Sequence, residues 1–393
     1  MKTKILFIGQ SLKVGGIERA LLEQLNSLDA EKFDVYLLLF YKGGGYLSSL
    51  SPSVHMLESN RILSCMAMTN MEAKRSLSTF LMRSFMYILS RLFGNRLLYL
   101  TVFRFVKSIG VYDVCVSYFH DVAPKGLYYG CNLFALKKVT AKKKVAWIHS
   151  DSEYANVGSA DNREIFKQFD TVVNVSNAMK LKFDKLEIIP ERHSKVVYNR
   201  SNKNVIKKLS TEFDVPRARN VPVLVTVGRL EPYKSTMELL KAAKQLKSNG
   251  LDFIWYFVGD GCLHSEAKEY IINNNLLKNV VLTGQIANPY PYINNADLFI
   301  SGSVTETFGL SILEALYLGV PVIAYRYDAI SELIENEKNG IVVDSFDEIY
   351  DKTKELLGDN DKLKKLKEQA SLICDYNEMN KKQIMEVFDY GEK

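Results

Sequence analysis

Ser303-Val-Thr-Glu306-Thr-Phe308-Gly309-Leu310-Ser-Ile-Leu-Glu314-Ala-Leu-Tyr-Leu-Gly319-Val-Pro-Val-Ile-Ala-Tyr325 follows the apolar run Asp297-Leu-Phe-Ile-Ser301 and decides the fold. The run predicts a strand ending near Ser301, and a Gly/Ser/Thr loop then carries Glu306. Phe308-Gly309-Leu310 opens a helix whose apolar positions are Leu310, Leu313, Ala315, Leu316 and Leu318. Gly319 stops that helix, and Val320-Pro-Val-Ile-Ala324 begins another strand. Such a turn points backbone N–H groups and a helix N-terminus at whatever sits above the sheet, which favours phosphate and sugar oxygens. Glu306 at the loop tip and Glu314 a turn into the helix could each hold a hydroxyl pair. That suits a sugar nucleotide, with one pair on the sugar and one on the ribose. Two acids at this spacing, taken alone, are only a helix with an acidic start.

The same alternation runs through the rest of the chain. In the first half, apolar runs predict strands at 4–9, 34–40, 54–57, 113–117, 144–149, 171–175 and 195–198. A helix is expected at 17–28, with Ile17, Ala20, Leu21, Leu25 and Leu28 on one face. In the second half, strands are expected at 222–228, 252–259, 280–284, 298–301 and 320–325. Helices at 236–248, 263–274, 289–294, 309–318 and 330–335 alternate with them. The polar stretch 199–220 separates the halves. The expected class is α/β, with two doubly wound Rossmann-like domains, 1–200 and 201–378, facing across an interdomain cleft. A C-terminal helix at 379–393 returns towards the N-terminal domain, and its Ile384, Met385, Val387 and Phe388 need a surface to cover.

A length of 393 residues fits two domains, and 47% apolar with 24% charged residues is ordinary for a soluble protein. Met1-Lys-Thr-Lys leads straight into Ile5-Leu-Phe-Ile8, so no signal peptide is expected. Cys65, Cys115, Cys131, Cys262 and Cys374 are scattered without a C-x-x-C, which disfavours zinc and disulfides and predicts a reducing, cytoplasmic location. The net charge of +6 is unevenly placed: the insert 61–110 holds eight basic residues against Glu72 alone, among Phe85, Leu89, Phe93, Leu97 and Phe103. Arginines interrupt every apolar run, so none spans a membrane. The segment suits an anionic membrane surface, or else a surface helix pair whose arginines cover a core. It has no nucleic-acid recognition motif.

Three further constellations carry chemistry. Val225-Thr-Val-Gly228-Arg229-Leu-Glu-Pro-Tyr-Lys234-Ser-Thr236 runs from a strand through a Gly turn to a helix, with two cations in the loop. Arg229 and Lys234 there would neutralise the charge that grows on a departing diphosphate. Gly259 in Val258-Gly-Asp-Gly261 and Gly284 in Leu282-Thr-Gly-Gln285 are turns on the same expected sheet edge, leaving room for a nucleoside. In the first half, Gly15-Gly16 precedes the first helix, without the G-x-G-x-x-G spacing of a dinucleotide site. His120 and His149 end two apolar strands on the same side of the sheet.

In this order and spacing, Gly228-Arg229, Lys234, Gly259-Asp260-Gly261 and Glu306-Thr-Phe-Gly-Leu through Glu314 resemble the retaining, nucleotide-sugar-dependent glycosyltransferases of family 4, which have the GT-B fold. Gly15-Gly16, His149 and Tyr198-Asn199 agree with that family. Arg200 departs from it, since members usually have Gly there. The resemblance extends from Lys4 to about Ile341 and is loose between Ser59 and Gly110. It implies that Arg229 and Lys234 hold the donor diphosphate and Glu314 the ribose. Glu306, with the N–H groups of Phe308, Gly309 and Leu310, holds the sugar hydroxyls. Gly15-Gly16 approaches the diphosphate, and His149 the donor sugar.

The implied chemistry is a same-face substitution in which the leaving phosphate accepts the acceptor's proton. No cofactor and no metal is expected, because two cations already stand where the charge develops. The lone D-x-D, Asp359-Asn-Asp361, reads as a helix cap. The expected partners are a UDP- or GDP-sugar donor, a lipid-linked saccharide acceptor of bacterial surface polysaccharide synthesis, and an anionic membrane surface. A nucleotide-sugar epimerase of the same fold is the alternative, though it would not need the basic apolar insert.

Overall fold

The computed structural model describes residues 2–121, 126–153, 155–217 and 221–389. The end of the polar stretch, 218–220, and the end of the expected final helix, 390–393, lie outside them. The chain divides into two compact units, Met1–Arg200 with Glu378–Lys393, and Ser201–Asn377.

The first unit is built on seven parallel strands: β1 (Thr3–Gly9), β2 (Phe33–Leu39), β3 (Val54–Met56), β4 (Ile109–Ser117), β5 (Val139–Ile148), β6 (Thr171–Asn174) and β7 (Ser194–Val196). Their order is β3-β2-β1-β4-β5-β6-β7. Strand β1 lies inside the sheet, and Ile5, Leu6, Phe7 and Ile8 are all fully buried, which is why it reads as an unbroken apolar run. Around the sheet pack α1 (Gly16–Ser27), α2 (Arg61–Ala67), α3 (Asn70–Ala73), α4 (Leu77–Phe93), α5 (Asn95–Phe103), α6 (Cys131–Lys138), α7 (Ala160–Phe166) and α8 (Asn177–Asp184). Helix α1 buries Ala20, Leu21 and Leu25 as expected, and also Leu22 and Gln24, whereas Ile17 and Leu28 are only partly covered.

The insert 61–110 folds as α2 to α5, and its two long helices differ. Helix α5 buries Leu98, Tyr99, Val102 and Phe103, and the Tyr99 hydroxyl donates to the Leu127 carbonyl at 2.8 Å. Helix α4 buries only Ser90. It is held by the opposite means: Arg83 donates to the Met66 carbonyl at 2.6 Å and to Asn70 Oδ1 at 3.1 Å. Among the described residues, no helix is long and apolar enough to cross a membrane.

The second unit has six parallel strands: β8 (Val223–Val227), β9 (Ile254–Val258), β10 (Val280–Gly284), β11 (Leu298–Ser301), β12 (Val322–Tyr325) and β13 (Gly340–Val343), in the order β10-β9-β8-β11-β12-β13. Its helices are α9 (Lys203–Leu209), α10 (Thr236–Ser248), α11 (His264–Asn273), α12 (Tyr290–Asn294), α13 (Leu310–Tyr317), α14 (Phe346–Gly358) and α15 (Asn360–Ala370). The core lies where Trp255 and Phe257 of β9, Leu298 and Ile300 of β11 and Leu239 and Leu246 of α10 meet. In both sheets the chain winds outwards in two directions from one point. These switch points fall between β1 and β4 and between β8 and β11, where ligands bind in open α/β sheets.

Two expectations need correction. Residues 330–335 form a single 3-10 turn, Ile330–Glu332. The Asn339 side chain takes the next backbone groups, accepting from Glu335 N at 2.9 Å and donating to the Leu333 carbonyl at 3.0 Å, so the helix cannot continue. The polar stretch between the halves is partly helical, because Asn202 caps α9 through the N–H groups of Asn204 and Val205. The D-x-D is a cap as expected, with Asp359 accepting from Lys362 N at 2.9 Å at the start of α15.

The tail forms α16 (Tyr376–Phe388), most of which belongs to the first unit. Asn380 donates to Gln24 Oε1 at 2.9 Å and to the Tyr198 carbonyl at 2.8 Å, which explains why Gln24 is buried. Phe388 packs edge-on against Phe7 and Phe33, with ring centroids 6.0 and 5.9 Å away. Ile384 and Val387 are buried with it, but Met385 is 47% exposed.

Candidate active site

In the second unit, β8, β9 and β10 end side by side in Gly228, Gly259 and Gly284. Gly228 N donates to the Val258 carbonyl and Gly259 N to the Gly284 carbonyl, both at 3.0 Å. Gly259 has φ +147°, and a Cβ there would stand 1.9 Å from the Gly228 carbonyl oxygen. Only glycine lets the two turns lie this close.

The loop after β8 passes through the 3-10 turn Pro232–Lys234 and a left-handed Ser235, φ 53°, before entering α10. No side chain caps α10, which leaves its first turn to a ligand or solvent. The exposed Arg229 donates to the Tyr233 hydroxyl and lies over its ring, 5.6 Å from the centroid. Lys234 Nζ lies 5.7 Å from the same ring and is ion-paired with Glu306. One tyrosine therefore holds both cations at the strand end.

The loop after β11 meets this loop across the switch point. Val304 N donates to the Tyr233 carbonyl at 3.0 Å, and the Lys234–Glu306 pair closes the same junction. A small pocket there is lined by Gly228, Arg229, Lys234, Thr236, Gly302 and Ser303. Gly309, φ +96°, turns the chain into α13, again without a side-chain cap. A Cβ on Gly309 would lie 2.4 Å from the Tyr327 hydroxyl, which donates to the Phe308 carbonyl at 3.3 Å. Burial, with the Glu306 carboxylate nearby, pushes the Tyr327 phenol well above its ordinary range, so it remains a donor. The Phe308 ring is buried against Tyr376, with centroids 5.3 Å apart. Its side chain is an anchor, and only its backbone is placed to serve a ligand. Glu314, 4% exposed, accepts from the Tyr290 hydroxyl at 3.3 Å.

In the first unit, Gly15 stands before α1 in an extended conformation, and no side chain caps that helix. A Cβ on Gly16 would meet nothing within 4 Å, and one on Gly15 only the flexible Glu18 carboxylate. The protein's own packing does not demand glycine at 16; the open space beside the backbone is what this residue leaves. His149 ends β5, stacked 6.1 Å from Trp147 and 4.5 Å from the Tyr118 ring. Burial, then the neighbouring His120, holds its pKa well below the ordinary range against a hydrogen bond to the Tyr118 backbone. Burial likewise lowers His120 to about 4. His149 N donates to His120 Nδ1 at 3.3 Å, so the His120 proton sits on Nε2 and is given to Ser150 Oγ at 2.7 Å. His120 therefore positions the loop that carries His149, and both rings are neutral at pH 7.

Residues 209–372 match the sequence model of the family described as glycosyl transferases group 1. This stretch is a group 1 glycosyl transferase domain. An Escherichia coli UDP-Gal:α-D-GlcNAc-diphosphoundecaprenol α-1,3-galactosyltransferase is 36% identical over 130 residues, which is 32% of this chain and 33% of that protein. A Streptomyces kanamyceticus α-D-kanosaminyltransferase is 28% identical over 154 residues, 38% of this chain and 40% of that one. The matched stretch thus spans well under two thirds of the length of these relatives. Among solved structures, Anabaena HepE with UDP and glucose superimposes with a TM-score of 0.68 at 21% identity, over 98% of this chain and 99% of that one. A mutant of Staphylococcus aureus TarM with fondaparinux, α-GlcNAc-glycerol and UDP does so with a TM-score of 0.67 at 15% identity, over 98% and 100%. At these identities the likeness is one of fold, and the fold is GT-B.

Within the transferase domain, Tyr233, Tyr290 and Tyr327 hold Arg229, Glu314 and the Phe308–Gly309 turn, and no spacing in the sequence announces them. Tyr233 at least lies inside the loop that does. In the first unit no spacing announces Asp121 either. It accepts from the N–H groups of Cys131, Asn132 and Leu133 at 2.9, 2.8 and 3.3 Å, capping α6 from ten residues away.

Proposed function

We propose that this protein is a retaining glycosyltransferase. It moves a sugar from a UDP- or GDP-sugar to a lipid-linked saccharide in bacterial surface polysaccharide synthesis. The observation that carries the reading is the pair of cations Arg229 and Lys234 held by Tyr233 at the switch point, with Lys234 ion-paired to Glu306, beside two uncapped helix N-termini. The donor diphosphate takes Lys234 away from Glu306 and lies between the two cations and the first turn of α10. Glu306, released, accepts hydroxyls of the sugar together with the backbone of Phe308, Gly309 and Leu310, and Glu314 accepts those of the ribose. As the glycosidic bond breaks, charge grows on the leaving phosphate where Arg229 and Lys234 already stand. That phosphate takes the acceptor's proton on the face it leaves, so configuration is retained without a protein nucleophile and without a divalent metal. In the first unit, Gly15-Gly16 leaves its backbone open to a diphosphate, and neutral His149 offers a hydrogen bond to a sugar hydroxyl.

The lipid-linked acceptor is supported by the α4 surface, which presents apolar and basic residues outwards, and by the diphosphoundecaprenol acceptor in the name of the E. coli relative. We place the protein on the cytoplasmic face of a membrane on the same grounds. Incubation with a panel of UDP- and GDP-sugars and a diphospholipid-linked sugar tests the reading, with the new linkage examined by proton NMR. Transfer with the donor's anomeric configuration is expected. An inverted linkage would overturn the mechanism, and conversion of the donor sugar without any acceptor would make the protein an epimerase.

A further inference from the structure

We infer that a recess beside α4 in the first unit is an anchoring subsite for the diphosphate head of a long-chain lipid, whose chain lies along α4. The inference rests on the lipid-linked acceptor of the reading above. The recess, about 260 Å³, is lined by Lys42, Glu58, Arg61, Ser64, Thr79 and Met82 among others. It lies past the ends of β2 and β3, which place Lys42 and Glu58, and against the flank of α4 that carries Thr79 and Met82. Glu58 offsets one cation, pairing with Lys42 at 3.2 Å, so the exposed Arg61 at the start of α2 leaves the recess with a net positive charge. Its volume is below the roughly 300–1,000 Å³ that holds a drug-sized ligand, which fits a head group and not a whole glycan.

The second observation is the outer face of the same helix. Leu77, Leu81, Phe85, Ile88 and Leu92 follow the spacing of one helical face, and each is more than half exposed. On a soluble surface such a stripe needs an occupant. Its surroundings are basic, since Lys74, Arg75, Arg91 and Arg104 are exposed and the insert's lone acid, Glu72, is taken by Lys13 at 2.9 Å. Met82 in the recess is next in the chain to Leu81 and one turn from Phe85. A cationic recess adjoining an apolar stripe matches an amphiphile with a phosphate head, and an acidic protein partner would leave the recess without a role.

Binding of farnesyl diphosphate, farnesol and inorganic pyrophosphate to the full chain, measured by titration calorimetry, tests this. Farnesyl diphosphate should bind more tightly than either fragment. Lys42→Ala with Arg61→Ala should weaken it by about tenfold or more, the worth of one charge-assisted hydrogen bond. The same pair should leave pyrophosphate at the second unit's cations unaffected. Leu81→Ser with Phe85→Ser should bring farnesyl diphosphate down towards pyrophosphate. Equal binding by wild type and the Lys42/Arg61 variant, equal binding of farnesol, or no farnesyl diphosphate binding would each overturn the subsite. A nucleotide-sugar titration on the same samples separates the two claims. Its loss would sink the transferase reading alone, and its persistence beside a failed lipid titration would sink the subsite alone.

Discussion

Lys234 and Glu306 are ion-paired, so on the proposed reading Glu306 competes with the donor for the ammonium. Glu306→Gln removes the competing charge. A nucleoside diphosphate should then bind roughly three- to tenfold more tightly, the worth of a partly screened ion pair. Sugar transfer by the same variant should fall, because the hydroxyl acceptor is weakened. Lys234→Ala should cut turnover on the order of 10²–10³-fold, since its charge matters most as the phosphate leaves. Glu314→Ala should instead raise KM with little change in kcat, because ribose contacts are alike in ground and transition states. Steady-state kinetics on the three variants separate the roles, and exchanged patterns for Lys234 and Glu314 would show the sites reversed. Two glycines make a sharper contrast. Gly259→Ala puts a Cβ against the Gly228 carbonyl in a backbone conformation that L-residues avoid, and should lower stability by at least about 2 kcal/mol. Gly16→Ala meets nothing in the protein and should leave the melting temperature unchanged while affecting ligand binding only.

Strands buried on both faces, such as β1 and β9, are legible because continuous apolar runs have few other uses. Strand β13 is not: Gly340-Ile-Val-Val343 is four residues long and opens on glycine. Residues 330–335 look helical in sequence because the bonds that stop the 3-10 turn at Ile330–Glu332 come from Asn339, several residues downstream. The candidate site divides the same way. Loops that carry Arg229, Lys234 and Glu306 announce themselves by glycine and charge after a strand. The Lys234–Glu306 pair, 72 residues apart, exists only once β8 and β11 are neighbours, and the Tyr290 hydroxyl reaches Glu314 only once α12 packs against α13. Of the insert's arginines, Arg83 and Arg96 are already used, Arg83 on the Met66 carbonyl and Arg96 on Asp161. On the proposed membrane reading, attraction at α4 falls to Lys74, Arg75 and Arg91, each contributing about 1 kcal/mol near an anionic surface. The protein should sediment with anionic vesicles at low salt and be released at high salt, and glutamate at those three positions should abolish it. Equal sedimentation with neutral vesicles would remove the electrostatic part of the account. At the end of β5, His120 supplies a pH dependence. Its folded pKa of about 4 lies below the ordinary value, so the folded state binds the proton less well than the unfolded chain. Stability should be lost as pH falls from about 6.5 to 4, by on the order of 3 kcal/mol at most. Asp121, raised to about 7 by burial, titrates with the opposite sign in that window. The difference between wild type and His120→Gln melting curves isolates the histidine, and identical slopes would contradict its neutral, buried role.

The chain leaves the first unit after Arg200 and returns to it at Glu378, so the first unit is completed by a segment that follows the second unit in the chain. Phe388 closes the edge-on packing with Phe7 and Phe33, and Phe388→Ala should cost about 3–5 kcal/mol as a large buried ring is lost. Both sheets reverse at a switch point, and among the described residues the two points present different groups. In the second unit Tyr233 holds Arg229 and Lys234, and Lys234 pairs with Glu306 between uncapped helices, whereas the first presents open backbone at Gly16 and neutral histidines. The central claim is that the second unit's switch point holds the donor diphosphate. Calorimetric titration of UDP and GDP into wild type and Lys234→Ala, with excess EDTA present throughout, tests it most directly. One nucleotide should bind wild type without added metal, and Lys234→Ala should weaken it by about tenfold or more. Unchanged affinity in Lys234→Ala, or binding that appears only when a divalent cation is restored, would contradict it.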